Sequence, residues 1–178
     1  LITSAGVSRG DFDLVKTVLA EEGQVGFWTV KMKPGKPLAF GVFTKKSGAQ
    51  VPHLGLPGNP VSAMLTFELF GRPAIFKMLG KINAWPRPLV SAISKDKIIN
   101  TDGRRFYARV VIDETNATPT VSLTGKQSSG ILTSMAKATA FAICPSNVDA
   151  IESGESCEVI LIDRENNYYG EALLTQRN

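Results

Sequence analysis

The run Trp85-Pro86-Arg87-Pro88 constrains this chain more than any other feature, because neither a helix nor a central strand can pass through it. Two alternating prolines hold the backbone extended and remove two amide donors. On its N-terminal side, strand-like and helix-like patterns alternate; on its C-terminal side, only short β-like runs follow. The boundary is therefore placed here: an α/β domain over residues 1–82, a β-rich domain over 83–165 and a weakly ordered tail over 166–178. With 178 residues, 43% hydrophobic and 20% charged, the chain can fill two small cores.

In the first region, Phe12, Val15 and Leu19 recur at helical spacing over residues 11–22, with acidic residues early, so an amphipathic helix is predicted. Residues 25–32, 38–43 and 51–56 read as strands, with an exposed turn over 44–50. A second helix is expected to start after Pro57-Gly58-Asn59-Pro60, with Asn59 as its cap and Pro60 in its first turn. Gly71-Arg72-Pro73 must interrupt or kink that helix before 74–79 resumes. Strand–helix alternation argues for an α/β layer. In the second region, β-like runs fall at 89–94, 105–112, 120–124, 140–144 and 157–162, with one or two helical turns within 130–137.

Three loops have the composition for chemistry. The first, over residues 3–13, lies between a strand end and a helix start. Gly6 and Gly10 let the backbone approach a ligand, and Thr3, Ser4 and Ser8 supply hydroxyls. Helix-start N–H groups favour an anion such as a phosphate, although Ser8 or Asp11 as a simple helix cap fits equally well. Of Asp11 and Asp13, two apart and hence divergent on a helix, Asp13 is chosen to hold Mg²⁺ beside a phosphate; dipole complementation by both acids is the plainer alternative. In the second loop, Lys33-Pro34-Gly35-Lys36-Pro37, two prolines and a glycine hold the ammonium groups of Lys33 and Lys36 at set positions, suited to a phosphate or an oxyanion. The third, Gly55 to Ser62, repeats the strand, turn and helix-start logic, with Ser62 and nearby amides facing an anion; a stiff helix entry is its simpler reading.

Other classes find less support. No apolar run approaches the ~20 residues that would span a bilayer, and no basic-then-apolar leader opens the chain. Leu1-Ile2 reads as the tail of a strand, so an upstream portion is expected. Cys144 and Cys157 have neither zinc-ligand spacing nor disulfide-scaffold density, which fits a reducing cytoplasm. The net charge of +4 favours anionic partners, yet the basic residues form no dense block with interleaved aromatics, so a small oxyanionic ligand is preferred to nucleic acid. His53, the single histidine, is read as structural, as are Trp28 and Trp85, and Cys144 as a small buried hydrophobe.

Residues 3–13, the loop Lys33 to Pro37 followed by Leu38-Ala39-Phe40-Gly41, and Gly55 to Ser62 followed by Thr66-Phe67-Glu68-Leu69 together resemble the molybdopterin molybdenumtransferase family, in order and spacing. Residues 127–138 and Gly154-Glu155 before the last strand resemble that family's C-terminal β-domain. The resemblance implies a partial molybdopterin-binding three-layer α/β domain followed by a small β-barrel-like domain, as in the gephyrin E-domain. It further implies a cytoplasmic homodimer that transfers molybdate into adenylylated molybdopterin, with Mg²⁺, and releases AMP. By position, Asp13 becomes the metal-associated acid and Lys33 and Lys36 the cationic loop. Pro57 and Pro60 become the rim of the pocket that also takes in Gly58, Asn59 and Ser62, with Ser8 and the Gly6 and Gly10 backbone against the ligand.

Three departures stand out: Ala5 sits where the family often has a second glycine, Arg9 replaces a small apolar residue, and Thr29 stands where many members carry a lysine. Lys31, two residues on, is expected to share the face of Thr29 on one strand and partly replace that lysine. Two alternatives are a molybdopterin adenylyltransferase, for which the lysine loop joined to a β-domain is unexpected, and a non-catalytic gephyrin-like scaffold.

Overall fold

The computed structural model describes residues 1–5, 21, 23–81 and 87–163. The helix expected over 11–22, with Gly6, Ser8, Gly10 and Asp13, and the tail over 166–178 lie outside the described residues. The chain divides into two compact units, Leu1–Leu79 and Gly80–Asn178.

The first unit is a mixed α/β arrangement. Its strands are β1 (Ile2–Ser4), β2 (Gly23–Thr29), the two-residue β3 (Met32–Lys33), β4 (Pro37–Thr44) and β5 (Gln50–Leu56). The four-stranded sheet runs β1-β5-β4-β2, with β1 parallel to β5 and the other pairs antiparallel. Because side chains alternate along a strand, Leu38, Leu54 and Leu56 fall on one face, where Ala63, Phe67 and Phe70 of the following helix cover them. That helix starts as α1 (Pro60–Thr66), whose buried residues Val61, Ser62, Leu65 and Thr66 share one face at helical spacing.

The interruption expected at Gly71-Arg72-Pro73 is a π turn rather than a break. The π segment Phe67–Gly71 runs directly into α2 (Arg72–Met78), and the Arg72 N–H donates to the Phe67 carbonyl five residues back. The wider turn places Pro73, which has no N–H to give, in the first turn of a new α segment, where none is needed.

The second unit is a five-stranded barrel of β6 (Leu89–Ser94), β8 (Arg105–Asp113), β9 (Thr120–Leu123), β10 (Ala140–Cys144) and β12 (Ser156–Leu161), in the order β10-β12-β6-β9-β8. An antiparallel β10–β8 pairing closes the ring. Two short strands the sequence did not announce, β7 (Ile98–Ile99) and β11 (Ala150–Ile151), form a separate antiparallel pair. The interior is layered by register: Val110, Ala140 and Leu161 form one layer, Ala108, Ala142 and Val159 the next. Alanine in the central strand leaves room for Val110, Leu161 and Val159 on its neighbours.

The outer face of β8 carries a fully buried arginine. Arg109 lies beneath residues 126–136, which include α3 (Leu132–Ala136), and donates from Nε to Ser134 Oγ at 2.8 Å and from Nη2 to the Ser128 carbonyl at 3.1 Å. Gln127 answers from the loop: its Oε1 accepts the Arg109 N–H at 2.8 Å and its Nε2 donates to the Arg109 carbonyl at 3.1 Å. Burial pulls the guanidinium below its ordinary pKa, and only neutral acceptors surround it in these bonds.

Candidate functional site

Strand direction brings the candidate loops together. β1 and β5 are parallel neighbours, so the segments that follow them leave from the same edge of the sheet. β4 is antiparallel to β5, with Ala39 opposite Gly55, so the lysine loop that precedes β4 enters at that edge as well. In open α/β sheets, ligands collect beyond the carboxyl ends of parallel strands.

The first and third loops are tied to each other. The Ala5 N–H donates to the Leu56 carbonyl at 3.1 Å, and Ser4 Oγ donates to the Pro57 carbonyl at 3.4 Å. A Cβ placed on Gly58 would stand 3.4 Å from that of Ala5, in ordinary contact. Ala5 itself has φ +71°, the left-handed region that L side chains avoid. The departure noted in the sequence is thus a conformational one: the backbone here has the shape a glycine adopts freely, and an alanine holds it.

The second loop lies against α1. Val30 donates its N–H to the Lys36 carbonyl at 2.8 Å, closing the loop, which contains a cis Lys33–Pro34 bond. Gly35 has φ +99°, and a Cβ there would come within 2.7 Å of Thr66 Oγ1 and 2.8 Å of the Met32 methyl. Glycine is therefore required twice, by the turn and by the close approach to the helix. Pro34 and Gly35 are buried, Lys33 is partly exposed and Lys36 is exposed, so the loop anchors on its apolar part and carries its cations outward.

The remaining candidates divide. Thr3 is half-buried, and its hydroxyl is engaged by His53 Nε2 at 3.0 Å rather than directed at the sheet edge. Ser62 is buried on the helix face that the lysine loop covers, while Gly58, Asn59 and Pro60 are exposed and Pro57 is buried. Asn59 occupies the N-cap position with extended backbone, and its carbonyl accepts the Ala63 N–H at 2.9 Å; no side-chain cap bond is formed. The shared face expected for Thr29 and Lys31 is not found: β2 ends at Thr29, and a tight bond from the Met32 N–H to the Val30 carbonyl turns the chain where Lys31 sits.

Two residues gain roles that the sequence reading missed or understated. His53 is buried, packs edge-on against Phe43 and supports the end of β1 through Thr3; burial lowers its pKa and favours the neutral ring. Thr66 is fully buried under Gly35 with no partner for its hydroxyl. Its position four residues after Ser62 was the available signal, because that spacing places both hydroxyls on one helix face. Among the described residues, no three His, Cys, Asp or Glu side chains gather as a metal site, and no helix is long and apolar enough to cross a membrane. The assembled edge therefore offers exposed loop backbone, the first-turn amides of α1 and two lysines, a set matched to a polyanionic ligand.

Comparison with known proteins agrees with both units. Residues 1–77 match the family described as "Probable molybdopterin binding domain", and residues 91–162 match "MoeA C-terminal region (domain IV)". The chain is 36% identical over 161 residues to the molybdopterin molybdenumtransferase of Haemophilus influenzae, covering 89% of this chain and 38% of that protein. It is 36% identical to gephyrin of Dictyostelium discoideum, covering 94% of this chain and 26% of that one. A crystal structure of the molybdopterin biosynthesis MoeA protein from Pyrococcus horikoshii superposes with a TM-score of 0.68 at 29% identity, over 90% of this chain and 36% of the other. The chain thus spans less than two fifths of the length of these relatives.

Proposed function

We propose that this chain, a relative of the MoeA and gephyrin E-domain proteins, serves as the pterin-nucleotide and molybdate site of a molybdopterin molybdenumtransferase. The observation that carries the proposal is the convergence of the β1 end, the Lys33–Pro37 loop and the Pro57–Ser62 segment at one sheet edge. In this reading, the pterin nucleotide lies across the exposed Gly58-Asn59-Pro60 backbone. Lys33 and Lys36 face molybdate and the phosphates, where fixed cations offset charge that grows as the adenylate leaves. Gly6, Ser8 and Gly10 complete the phosphate contacts. Mg²⁺, held by Asp13 with the phosphates, would supply charge neutralisation at the bond to AMP. Cytoplasmic location and a homodimer belong to the same proposal.

The test is AMP release by the purified protein from adenylylated molybdopterin with molybdate and Mg²⁺. Lys33→Ala and Asp13→Ala are each expected to lower it by about 100-fold, the scale of losing one group that stabilises charge in the transition state. Tight binding of the pterin nucleotide with no AMP release at all, in the unaltered protein, would rule out the transferase reading and favour the scaffold.

A further inference from the structure

The barrel core contains two cysteines that no part of the proposed chemistry uses. Cys144 is the last residue of β10 and Cys157 the second of β12, and both are buried, free thiols in the same core cluster. The β10–β12 register runs from Ala140 opposite Leu161 to Ile143 opposite Glu158, so its next rung sets Cys144 directly opposite Cys157.

Their backbone bonds show which kind of rung this is. The Ile162 N–H donates to the Thr139 carbonyl, so residues 139, 141 and 143 turn their backbone groups toward β12, and residues 140, 142 and 144 turn theirs toward β8. On the other strand, the Leu161 N–H donates to the Pro88 carbonyl and the Ser94 N–H to that of Glu155, so residues of that parity, Cys157 among them, face β6. Neither cysteine spends its backbone on the other. Such non-hydrogen-bonded rungs bring opposed Cα atoms to about 4.5 Å, inside the roughly 4.4–6.8 Å span of disulfides. Both side chains point inward, Cys144 Sγ lies 3.6 Å from the Val148 carbonyl, and the two thiols are close enough to affect each other's ionisation.

We infer that Cys144 and Cys157 form an oxidative modification site, a dithiol that closes to a cross-strand disulfide and locks the end of the barrel. With a peroxide as oxidant, one thiolate attacks an oxygen, the O–O bond breaks, and sulfenic acid and hydroxide result. The second thiolate then attacks that sulfur, the S–O bond breaks, and a second hydroxide leaves; with the two thiol protons the products are one disulfide and two waters. Peroxide is small enough to enter when the strand end opens locally. The bond would tie the 145–156 connection, which carries β11, to the barrel wall. Burial, with Cys144 beside it, pushes the Cys157 thiol up to about 11, so closure quickens as pH rises toward that value.

The test treats the folded, reduced protein with hydrogen peroxide and maps its peptides. The expected result is loss of both free thiols, loss of two hydrogens in mass, and a joined pair of peptides carrying Cys144 and Cys157, all reversed by dithiothreitol. Hydrogen exchange across 145–156 should slow in the oxidised form, and Cys157→Ala should keep its remaining thiol without an internal bond. Survival of both thiols under peroxide that oxidises the urea-unfolded chain would overturn the inference. So would oxygen addition without the joined peptides.

Discussion

In the barrel, β10 is hydrogen-bonded on both sides, and a buried arginine on its wall is met by a glutamine that satisfies the arginine's own backbone. In the α/β unit, the described sheet ends at β1 and β2, and the sheet edge leads into loops that hold their polar backbone and lysines outward. The two units are built from similar strands, yet one closes its strands into a ring and the other ends its sheet in exposed loops. A closed ring removes strand edges and gains stability; an open sheet keeps a place for a ligand. Mutations should therefore separate along this line, altering stability in the barrel and ligand contact in the loops.

The largest expected effect is in the barrel. Arg109→Ala would leave Ser134 Oγ and the Ser128 carbonyl without their donor and open space under α3, at a cost of about 3–5 kcal/mol by urea unfolding. A loss below 1 kcal/mol would mean that the segment over β8 contributes little and that the contrast is overstated. Gln127→Ala comes next, because it takes the side-chain acceptor from the Arg109 N–H, while the Arg109 carbonyl keeps its bonds from Thr124; about 1–2 kcal/mol is expected, with pterin-nucleotide affinity unchanged. A marked fall in affinity instead would show that the barrel wall belongs to the binding site.

The smallest effect tests the other side of the comparison. Ala5→Gly removes a side chain from a left-handed backbone position, and the folded state should gain about 1 kcal/mol, read as a higher thermal midpoint. Its ligand affinity should stay level or rise, since the loop keeps its shape. Lower stability would show that the alanine methyl packs on Gly58 well enough to outweigh the strain.

Much of this architecture was readable along the chain. Residues 38–43 and 51–56 read as strands and are found within β4 and β5, and the five barrel strands were marked by short β-like runs. The three loops declared themselves by glycine, proline and lysine content, because those residues restrict local backbone wherever they occur. What escaped was set by partners distant in sequence. Thr3 was read as a ligand contact, but the parallel β1–β5 pairing places His53 within reach of its hydroxyl. Ser62 was read as facing an anion, but Gly35 lets the lysine loop settle over that face.

By itself, the sequence determined the two structural classes, α/β first and β-rich second, and the residue types gathered in each loop, since these follow from local dihedral limits and hydrophobic periodicity. Only the tertiary structure decided that the loops meet at one edge, that Ala5 carries a glycine's conformation, that Arg109 is enclosed and that Cys144 stands opposite Cys157. Those facts depend on strand direction and register, which arise when segments far apart in the chain pair and bury one face together.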